Sequence, residues 1–434
     1  MPGLEGKIRN KSAKVGIVGL GYVGLPLALA FSEAGFKVLG FDLQQKRVDL
    51  VNQGKSYIPD VPSDRLSAVL ANGDLEATVD QDRLGEVDAI CICVPTPLTK
   101  TKEPDLSYVI HESEEISKHL QLGQLVVVES TTYPGTTREV VLPILERSGL
   151  KTGSDFYLAF SPERIDPGSK KYNIRNTPKI IGGIDPQSTK LAGLLYSEVA
   201  EVVVPVSCPE VAEMTKVFEN VFRNVNIALV NELAQLCERM GISVWEVIDA
   251  AATKPFGYMP FYPGPGVGGH CIPLDPYYLA SKAREYDFHT RFIELAAEVN
   301  EQMPYYVASR IMESLNTQGK SLNGAKILVL GVAYKKDVAD VRVSPSLKLI
   351  QLLQERGANV MYNDPYIPKI QLYQDTLTSV DLTQECLSSA DCAVIATDHS
   401  CYDLKQIIAQ SKLVFDTRGA TRGLKGDNLI RLGE

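Results

Sequence analysis

The sequence contains no CxxC pair and no Cys/His spacing of the kind that ligates a metal. Its eight cysteines, at positions 91, 93, 208, 237, 271, 386, 392 and 401, are scattered. That pattern predicts free thiols in a reducing cytoplasm and no bound metal. Basic charge is also in short supply. Lys and Arg number 44 against 53 Asp and Glu, a formal net charge of -9, which argues against the basic stripe of a nucleic-acid-binding protein. Any anionic ligand must therefore be met by local cations. Uninterrupted apolar runs are missing as well. Residues 15–32 carry no charge and follow Lys7, Arg9, Lys11 and Lys14, which imitates a signal peptide or a short membrane span. Gly16, Gly19, Gly21, Gly24 and Pro26 break that stretch into strand, turn and helix start, so no membrane segment is predicted. Short repeats and low-complexity tracts are absent too. What remains is an ordinary globular composition, 44% hydrophobic and 22% charged. At 434 residues it exceeds the roughly 250–300 at which one core stops growing.

Short apolar runs at 14–18, 37–41, 88–94, 125–129, 156–160, 179–181 and 201–204 alternate with amphipathic stretches, the pattern of buried parallel strands with helices between. Residues 209–240 hold no Gly or Pro after Pro209 and stop at Gly241, which predicts one long helix. Helices dominate to about 318, interrupted by a Pro/Gly loop at 255–276. A second alternating pattern follows, with strands at 326–330, 359–362, 393–397 and 413–416. The fold class expected is α/β: two doubly wound, Rossmann-like parallel-sheet domains joined by a long central helix. The domains expected are 1–205, 206–318 and 319–434.

Gly19-Leu20-Gly21-Tyr22-Val23-Gly24 directly follows the first strand and opens a helix. The first glycine permits the tight turn, the second lets a pyrophosphate approach the backbone, and the third lets helix pack on strand. A glycine-rich turn that binds nothing can look the same. Asp42, 18 positions after Gly24 at the end of the next strand, distinguishes the two, because a carboxylate there accepts from ribose hydroxyls and repels a 2'-phosphate. It predicts NAD over NADP, with Lys46 and Arg47 nearby as opposing cations. Gly264-Pro265-Gly266-Val267-Gly268-Gly269-His270-Cys271 puts a thiol at the end of a loop almost stripped of side chains, with Asp275 four positions on. Cys271 is either a small apolar residue or a reactive thiol. His270 either tunes that thiol or makes a structural hydrogen bond. Cys91, Cys93, Cys237 and Cys392 lie in apolar strands or helices and read as buried. Lys216, Asn220 and Asn224 fall at i, i+4 and i+8 of the long helix. Mid-helix Asn is disfavoured, so the row suggests a lined cavity, a solvated stripe being the alternative. Two strand-ending loops, 129–135 and 160–164, place Thr131 and Glu163 where an open α/β sheet binds ligands, although each is also an ordinary turn or surface residue type.

Taken in order, GLGYVGLP, VPTP, ESTTYPGTT, SPERIDPG, EMTKVFENVFRNVNIALVNE, PGPGVGGHCIPLDP and GVAYKKDVADVRVSPS resemble the UDP-glucose/GDP-mannose dehydrogenase family over about residues 13–425. The stretch 252–295 is similar to its UDP-N-acetylglucosamine 6-dehydrogenases, which feed bacterial surface-polysaccharide pathways. The resemblance implies NAD contacts at Gly19, Gly21, Tyr22, Val23, Gly24, Asp42, Arg47, Pro95, Thr96 and Thr131. It implies Cys271 as nucleophile, Lys216 and Asp275 as its electrostatic partners, and Asn220 as oxyanion ligand. Glu163 would be the acid/base and Thr131 would orient a water. Glu163, Arg164, Lys216, Asn220, Gly268, Lys335, Arg342 and Arg418 would contact a UDP-sugar, Arg418 in its own or a partner's site, in a homodimer or higher oligomer formed through the long helix. The C-terminal half would hold the UDP: Lys335, Lys336 and Arg342 lie just after the strand at 326–330, the binding edge of a second α/β sheet, although exposed lysine pairs also occur as solvated clusters. A primary alcohol becomes a carboxylate by losing two hydrides, and a thiolate that traps the intermediate aldehyde fits that chemistry. Two rivals remain at this level, a non-catalytic NAD-binding sensor and a dehydrogenase that stops at the aldehyde or ketone.

Overall fold

The structure is a computed structural model and describes residues 3–58, 60–99, 101–165, 171–269, 271–372 and 375–434. It divides into two compact units, Met1–Glu219 with Tyr277–Phe288, and Asn220–Pro276 with His289–Glu434. The helix Pro209–Met240 runs as the sequence pattern predicts and contributes to both.

In the first unit, β1 (Lys14–Val18), β2 (Lys37–Phe41), β3 (Leu75–Thr78), β4 (Ala89–Ile92), β5 (Leu125–Val128), β6 (Tyr157–Phe160), β7 (Lys179–Gly183) and β8 (Val203–Val206) form one sheet in the order β3-β2-β1-β4-β5-β6-β7-β8. Every residue of β4 and β5 is buried. Their runs AICI and LVVV are apolar throughout because both faces of a doubly wound sheet are covered. All neighbours are parallel except β6 and β7, where Phe160 pairs antiparallel with Gly182. Phe31, Phe36 and Tyr196 meet edge-on in the core on one face. The uncharged stretch at 15–32 resolves into β1, a turn and the helix Gly24–Glu33. Among the described residues no helix is long and apolar enough to cross a membrane.

The second unit holds β9 (Lys326–Leu330), β10 (Asn359–Asn363), a hairpin of β11 (Lys369–Gln371) and β12 (Thr376–Thr378), then β13 (Cys392–Ile395), β14 (Val414–Asp416) and β15 (Leu429–Arg431). The five-stranded sheet runs β10-β9-β13-β14-β15, all parallel. The helix Arg291–Thr317 buries Met303, Val307, Ile311 and Leu315 in its core, at the 3–4 residue spacing of one helical face. Both expected parallel sheets are present. The sequence patterns miss β3, the hairpin and β15, which are three or four residues long, and they place β8 two residues early. Too few residues alternate in such edge strands for a period to show.

Candidate functional site

Parallel strands deliver their following loops to one edge of the sheet. In the first unit this brings Gly19–Gly24, Asp42, Pro95, Thr96, Thr131 and Glu163 to the carboxyl ends of β1, β2, β4, β5 and β6. Two of the three glycines are fixed by the protein's own packing. Gly19 has φ +92° and a Cβ there would lie 2.8 Å from the Cys93 carbonyl oxygen, while a Cβ on Gly24 would lie 1.8 Å from that of Gly19. A Cβ on Gly21 would meet nothing within 4 Å apart from its chain neighbours, so the backbone there is open on that side. The buried Asp42 turns back to this loop. Its Oδ2 accepts the Leu20 N–H at 3.0 Å and lies 3.2 Å from Arg47 Nη1, and its Oδ1 accepts from Gln44 N–H at 2.9 Å. Tyr57, on which no sequence pattern draws, donates its hydroxyl to the Leu20 carbonyl at 2.6 Å. Burial and the Asp42 charge push that phenol up to about 12. Tyr278 donates to the Thr96 carbonyl at 2.6 Å and ties down the loop after β4.

Beyond β5 and β6 the edge carries charge. Glu163 is partly buried and accepts the Ile165 N–H at 2.5 Å. Arg164 makes a bidentate pair with Glu219 of the long helix, 2.5 and 3.2 Å. Glu213, on the first turns of that helix, is fully buried and accepts from Gly135 N–H at 2.6 Å, Thr137 N–H at 2.8 Å and the Thr137 hydroxyl at 2.7 Å. It thereby pins the loop that follows Thr131 to the helix that bears Lys216. A π-helical turn, Thr137–Val141, begins at this anchor, and such turns gather at functional sites. Burial pushes the Glu213 carboxyl up to about 7, against the pull of its three donors. A carboxyl raised on folding stabilises fully at acid pH and loses that contribution as pH rises from the ordinary carboxylate range through about 7. We therefore expect the wild-type protein to lose about 2–3 kcal/mol of this contribution between pH 5 and 8, at about 1.4 kcal/mol per unit. Glu213→Gln should flatten the decline. Denaturant unfolding of both proteins at the two pH values checks it, and parallel declines would move the effect to another group.

The second unit contains the thiol loop. Gly264 donates its N–H to Asn231 Oδ1 at 3.0 Å, Asn231 donates to Asn300 at 2.9 Å, and Asn300 donates to the Asn224 carbonyl at 3.0 Å and also to the Asn224 side chain. Downstream, Gly269 (φ +93°) donates its N–H to the Arg342 carbonyl at 3.0 Å. A Cβ on Gly268 would sit 2.7 Å from Tyr334 Cβ and 2.9 Å from the Val343 carbonyl. Missing side chains thus let the loop lie flat on the segment 334–343, which carries Lys335 and Arg342. Cys271 is partly exposed, and its carbonyl accepts the N–H groups of Leu274 and Asp275, which begins the helix Asp275–Arg284. Asp275 is buried and accepts Asn220 Nδ2 at 2.5 Å. Lys216, Asn220 and Asn224 are all buried, so the polar row on the long helix is not a solvated stripe, although Asn224 is engaged with Asn300. Arg342 forms a bidentate pair with Asp340, its Nη2 2.7 Å from Oδ2. Arg418 lies against its own chain's loop, where a Cβ on Gly264 would come within 2.7 Å of it, and it donates to the Ala396 carbonyl at 2.8 Å. Cys91, Cys93, Cys237 and Cys392 are buried as expected, and burial pushes the Cys91 and Cys392 thiols up to about 12. His270 lies outside the described residues.

Three family models of UDP-glucose/GDP-mannose dehydrogenases match the chain, the NAD binding domain at 13–200, the central domain at 210–302 and the UDP binding domain at 328–423. The chain belongs to that family. It is 37% identical over 387 residues, 89% of each chain, to the UDP-N-acetyl-D-mannosamine dehydrogenase of Pyrococcus horikoshii. To the UDP-N-acetyl-D-glucosamine 6-dehydrogenase of Pseudomonas aeruginosa it is 38% identical over 359 residues, 82% of this chain and 84% of that one. The solved structure of the UDP-D-ManNAc dehydrogenase from Pyrococcus horikoshii superimposes with a TM-score of 0.88 at 34% identity, covering 97% of this chain and 99% of that one. As a nucleotide-sugar dehydrogenase of this family the protein uses NAD. The open backbone at Gly21 and the carboxylate of Asp42 beside it fit that cofactor's pyrophosphate and ribose. Its substrate is a nucleotide sugar, for which 328–423 is the UDP-binding part.

Several residues near the edge receive no role from the sequence patterns. Lys179 and Tyr196 lie outside every motif, and Glu129 and Glu213 only open ESTTYPGTT and EMTKVFENVFRNVNIALVNE, yet all four carry buried charge or polar contacts there. The one available signal was Glu213, three residues before Lys216 and so on the same helical face.

Proposed function

We propose that this protein oxidises the C6 hydroxyl of a UDP-N-acetylhexosamine, with UDP-N-acetylglucosamine as the assigned sugar, to the uronic acid, and that it does so in the cytoplasm for surface-polysaccharide precursors. The observation that carries the proposal is the thiol loop stripped of side chains and hydrogen-bonded to the backbone of the UDP-binding segment 334–343. A family member with a thiol beside its nucleotide-binding element is equipped to hold a sugar aldehyde covalently. The sugar assignment rests on the stretch 252–295. The two relatives act by name on nucleotides of N-acetylmannosamine and N-acetylglucosamine, so UDP-N-acetylmannosamine competes with the assigned sugar. UDP-glucose and UDP-N-acetylgalactosamine differ from it by one substituent or one stereocentre and complete the set to be tested.

In this mechanism NAD, when bound, accepts a hydride in each of two oxidations. The chain's residues do the rest. Once the alcohol has become an aldehyde, the Cys271 sulfur adds to its carbonyl carbon and the oxygen takes a proton, giving a thiohemiacetal. Loss of the second hydride and of that proton leaves a thioester. Lys216 and Asn220 stabilise the oxyanion of each tetrahedral species, an effect worth about 3 kcal/mol per donor in such sites. Asp275 holds Asn220 in place. Glu163 takes a proton from water as its oxygen attacks the thioester, Thr131 orients that water, and the departing thiolate regenerates Cys271. Gly19, Gly21, Tyr22, Val23, Gly24, Asp42, Arg47, Pro95, Thr96 and Thr131 bind the dinucleotide. Arg164, Gly268, Lys335, Arg342 and Arg418 bind the UDP-sugar. The division of labour follows the segments 1–205, 206–318 and 319–434.

The assembly belongs to the same proposal, a homodimer through the long helix. Met214, Phe218, Phe222, Leu229, Leu236 and Met240 recur on that helix every 3–4 residues or multiples of it and are exposed in the single chain. NADH counted per sugar, with a panel of UDP-sugars, tests the function. Two NADH per UDP-N-acetylglucosamine is the expected result. One per sugar would make the protein an aldehyde-forming dehydrogenase, and none a sensor.

A further inference from the structure

The sheet of the first unit reverses direction once, and the reversal puts a lysine among the acidic groups. β7 runs antiparallel to β6, with Phe160 opposite Gly182. Carried three residues past Phe160, that register sets the first residue of β7, Lys179, opposite Glu163. In a sheet parallel throughout, the start of β7 would lie at the opposite edge. The Lys179 ammonium is buried, 2.6 Å from Glu129 Oε2, 3.7 Å from Glu163 Oε2 and 3.5 Å from the Pro162 carbonyl. Glu129 follows β5 directly and is itself fully buried, with the Tyr196 hydroxyl donating to its other oxygen and Cys91 Sγ 3.4 Å beyond. The Tyr196 ring also faces the ammonium at 5.1 Å, and the Cys93 thiol lies in the same neighbourhood. Burial works against the Lys179 charge, but the two carboxylates hold it above the ordinary lysine value. A buried cation shared by two acids is expensive as a structural element, and well-packed apolar side chains often do as well. Here one acid is locked by Tyr196, and the other is the partly exposed Glu163.

We infer that Lys179 is a positioning residue for Glu163: fixed from below by Glu129 and Tyr196, its ammonium holds the Glu163 carboxylate in the orientation that activates water against the thioester. This rests on the reading of Glu163 as the base. The inference assigns Lys179 to one step only, hydrolysis. Misplacement of a catalytic group by about 1 Å costs roughly 10²-fold in rate, while the hydride steps do not use Glu163.

The test uses two variants of the full enzyme with UDP-N-acetylglucosamine and NAD, or with whichever UDP-sugar the panel shows to be oxidised. Lys179→Met/Glu129→Gln removes the two fully buried charges together, and leaves only the partly exposed Glu163 without its cation. Lys179→Arg keeps the charge but replaces a point donor by a planar fork. Intact-mass spectrometry and burst kinetics separate thioester formation from its hydrolysis, and thermal melting with NAD titration confirms folding. The expected result is thioester accumulating on Cys271, with hydrolysis slowed about 10²-fold in the double variant and about 10-fold in Lys179→Arg, and NADH bursts near wild type. Hydrolysis at the wild-type rate in either folded variant, or equal slowing of every step, overturns the inference. If the double variant does not fold, Lys179→Arg decides by the same criteria. Normal hydrolysis in Glu163→Gln is a different outcome, which removes the base assignment itself.

Discussion

Cys271→Ser should release NADH once per site and then stall. The first oxidation needs no covalent bond to the protein, so the aldehyde forms. Serine offers a hydroxyl that is far less ionised and less nucleophilic than a thiol, and an ester at that position yields to water less readily than a thioester. Formation of the uronic acid is therefore expected to fall on the order of 10³-fold or more, in line with the loss of a nucleophile elsewhere. Stopped-flow NADH counting and intact-mass measurement read the result. The substitution is small and Cys271 is partly exposed at the end of its loop, so the melting temperature should barely move. Full turnover by the serine variant would remove Cys271 from the chemistry and leave its loop as a backbone contact only.

Much of the site was legible because its residues sit in patterns that local chemistry enforces. The Gly19–Gly24 turn declares itself because Gly19 and Gly24 have no room for a Cβ, while a Cβ on Gly21 would meet nothing within 4 Å. Asp42 is legible from its distance along the chain. The helix Pro209–Met240 is bounded by a proline and a glycine, and its polar row stands out against an apolar helix. What stayed hidden depends on tertiary placement. Lys179 is one basic residue at the start of an apolar strand, indistinguishable from a solvated end until the reversal of β7 puts it beside Glu129. Glu213 looks like any acid near the start of a helix until Gly135 and Thr137 are seen to converge on it.

The two α/β halves also echo one another in a way that separates their ligands. Asp364 follows β10 as Asp42 follows β2, and each carboxylate accepts N–H groups from the turn after the first strand of its sheet, Leu20 in one case and Val332 and Ala333 in the other. In the second half the resemblance to a dinucleotide site ends there. Asp364 also takes hydrogen bonds from Tyr366 and Ile367 N–H and lies 3.1 Å from Nε2 of the buried His399. Burial opposes its ionisation, but His399 and the backbone donors hold it below the ordinary carboxylate range. That carboxylate is committed to the protein, whereas Asp42 keeps two backbone partners and one arginine. The difference agrees with an N-terminal half that takes NAD and a C-terminal half that takes UDP.

Glu163→Gln should stall one step later than Cys271→Ser. The amide is close in size to the carboxylate and its oxygen can still accept the Ile165 N–H that Glu163 accepts at 2.5 Å, so the loop after β6 keeps its shape. What the amide lacks is the capacity to take a proton from water. Both hydride steps precede that need, so the variant is expected to release two NADH per site in a burst and to hold the sugar as a thioester on Cys271. General-base removal costs about 10²–10⁴-fold in comparable enzymes, and steady-state acid release should fall by that factor with KM for NAD unchanged. The number of NADH in the burst, two here and one for Cys271→Ser, separates base from nucleophile within one experiment. A burst of one would place Glu163 before the second oxidation, as an acid or base for a hydride step. Normal acid release would leave Lys179 and Glu129 as a buried pair with no catalytic neighbour to position.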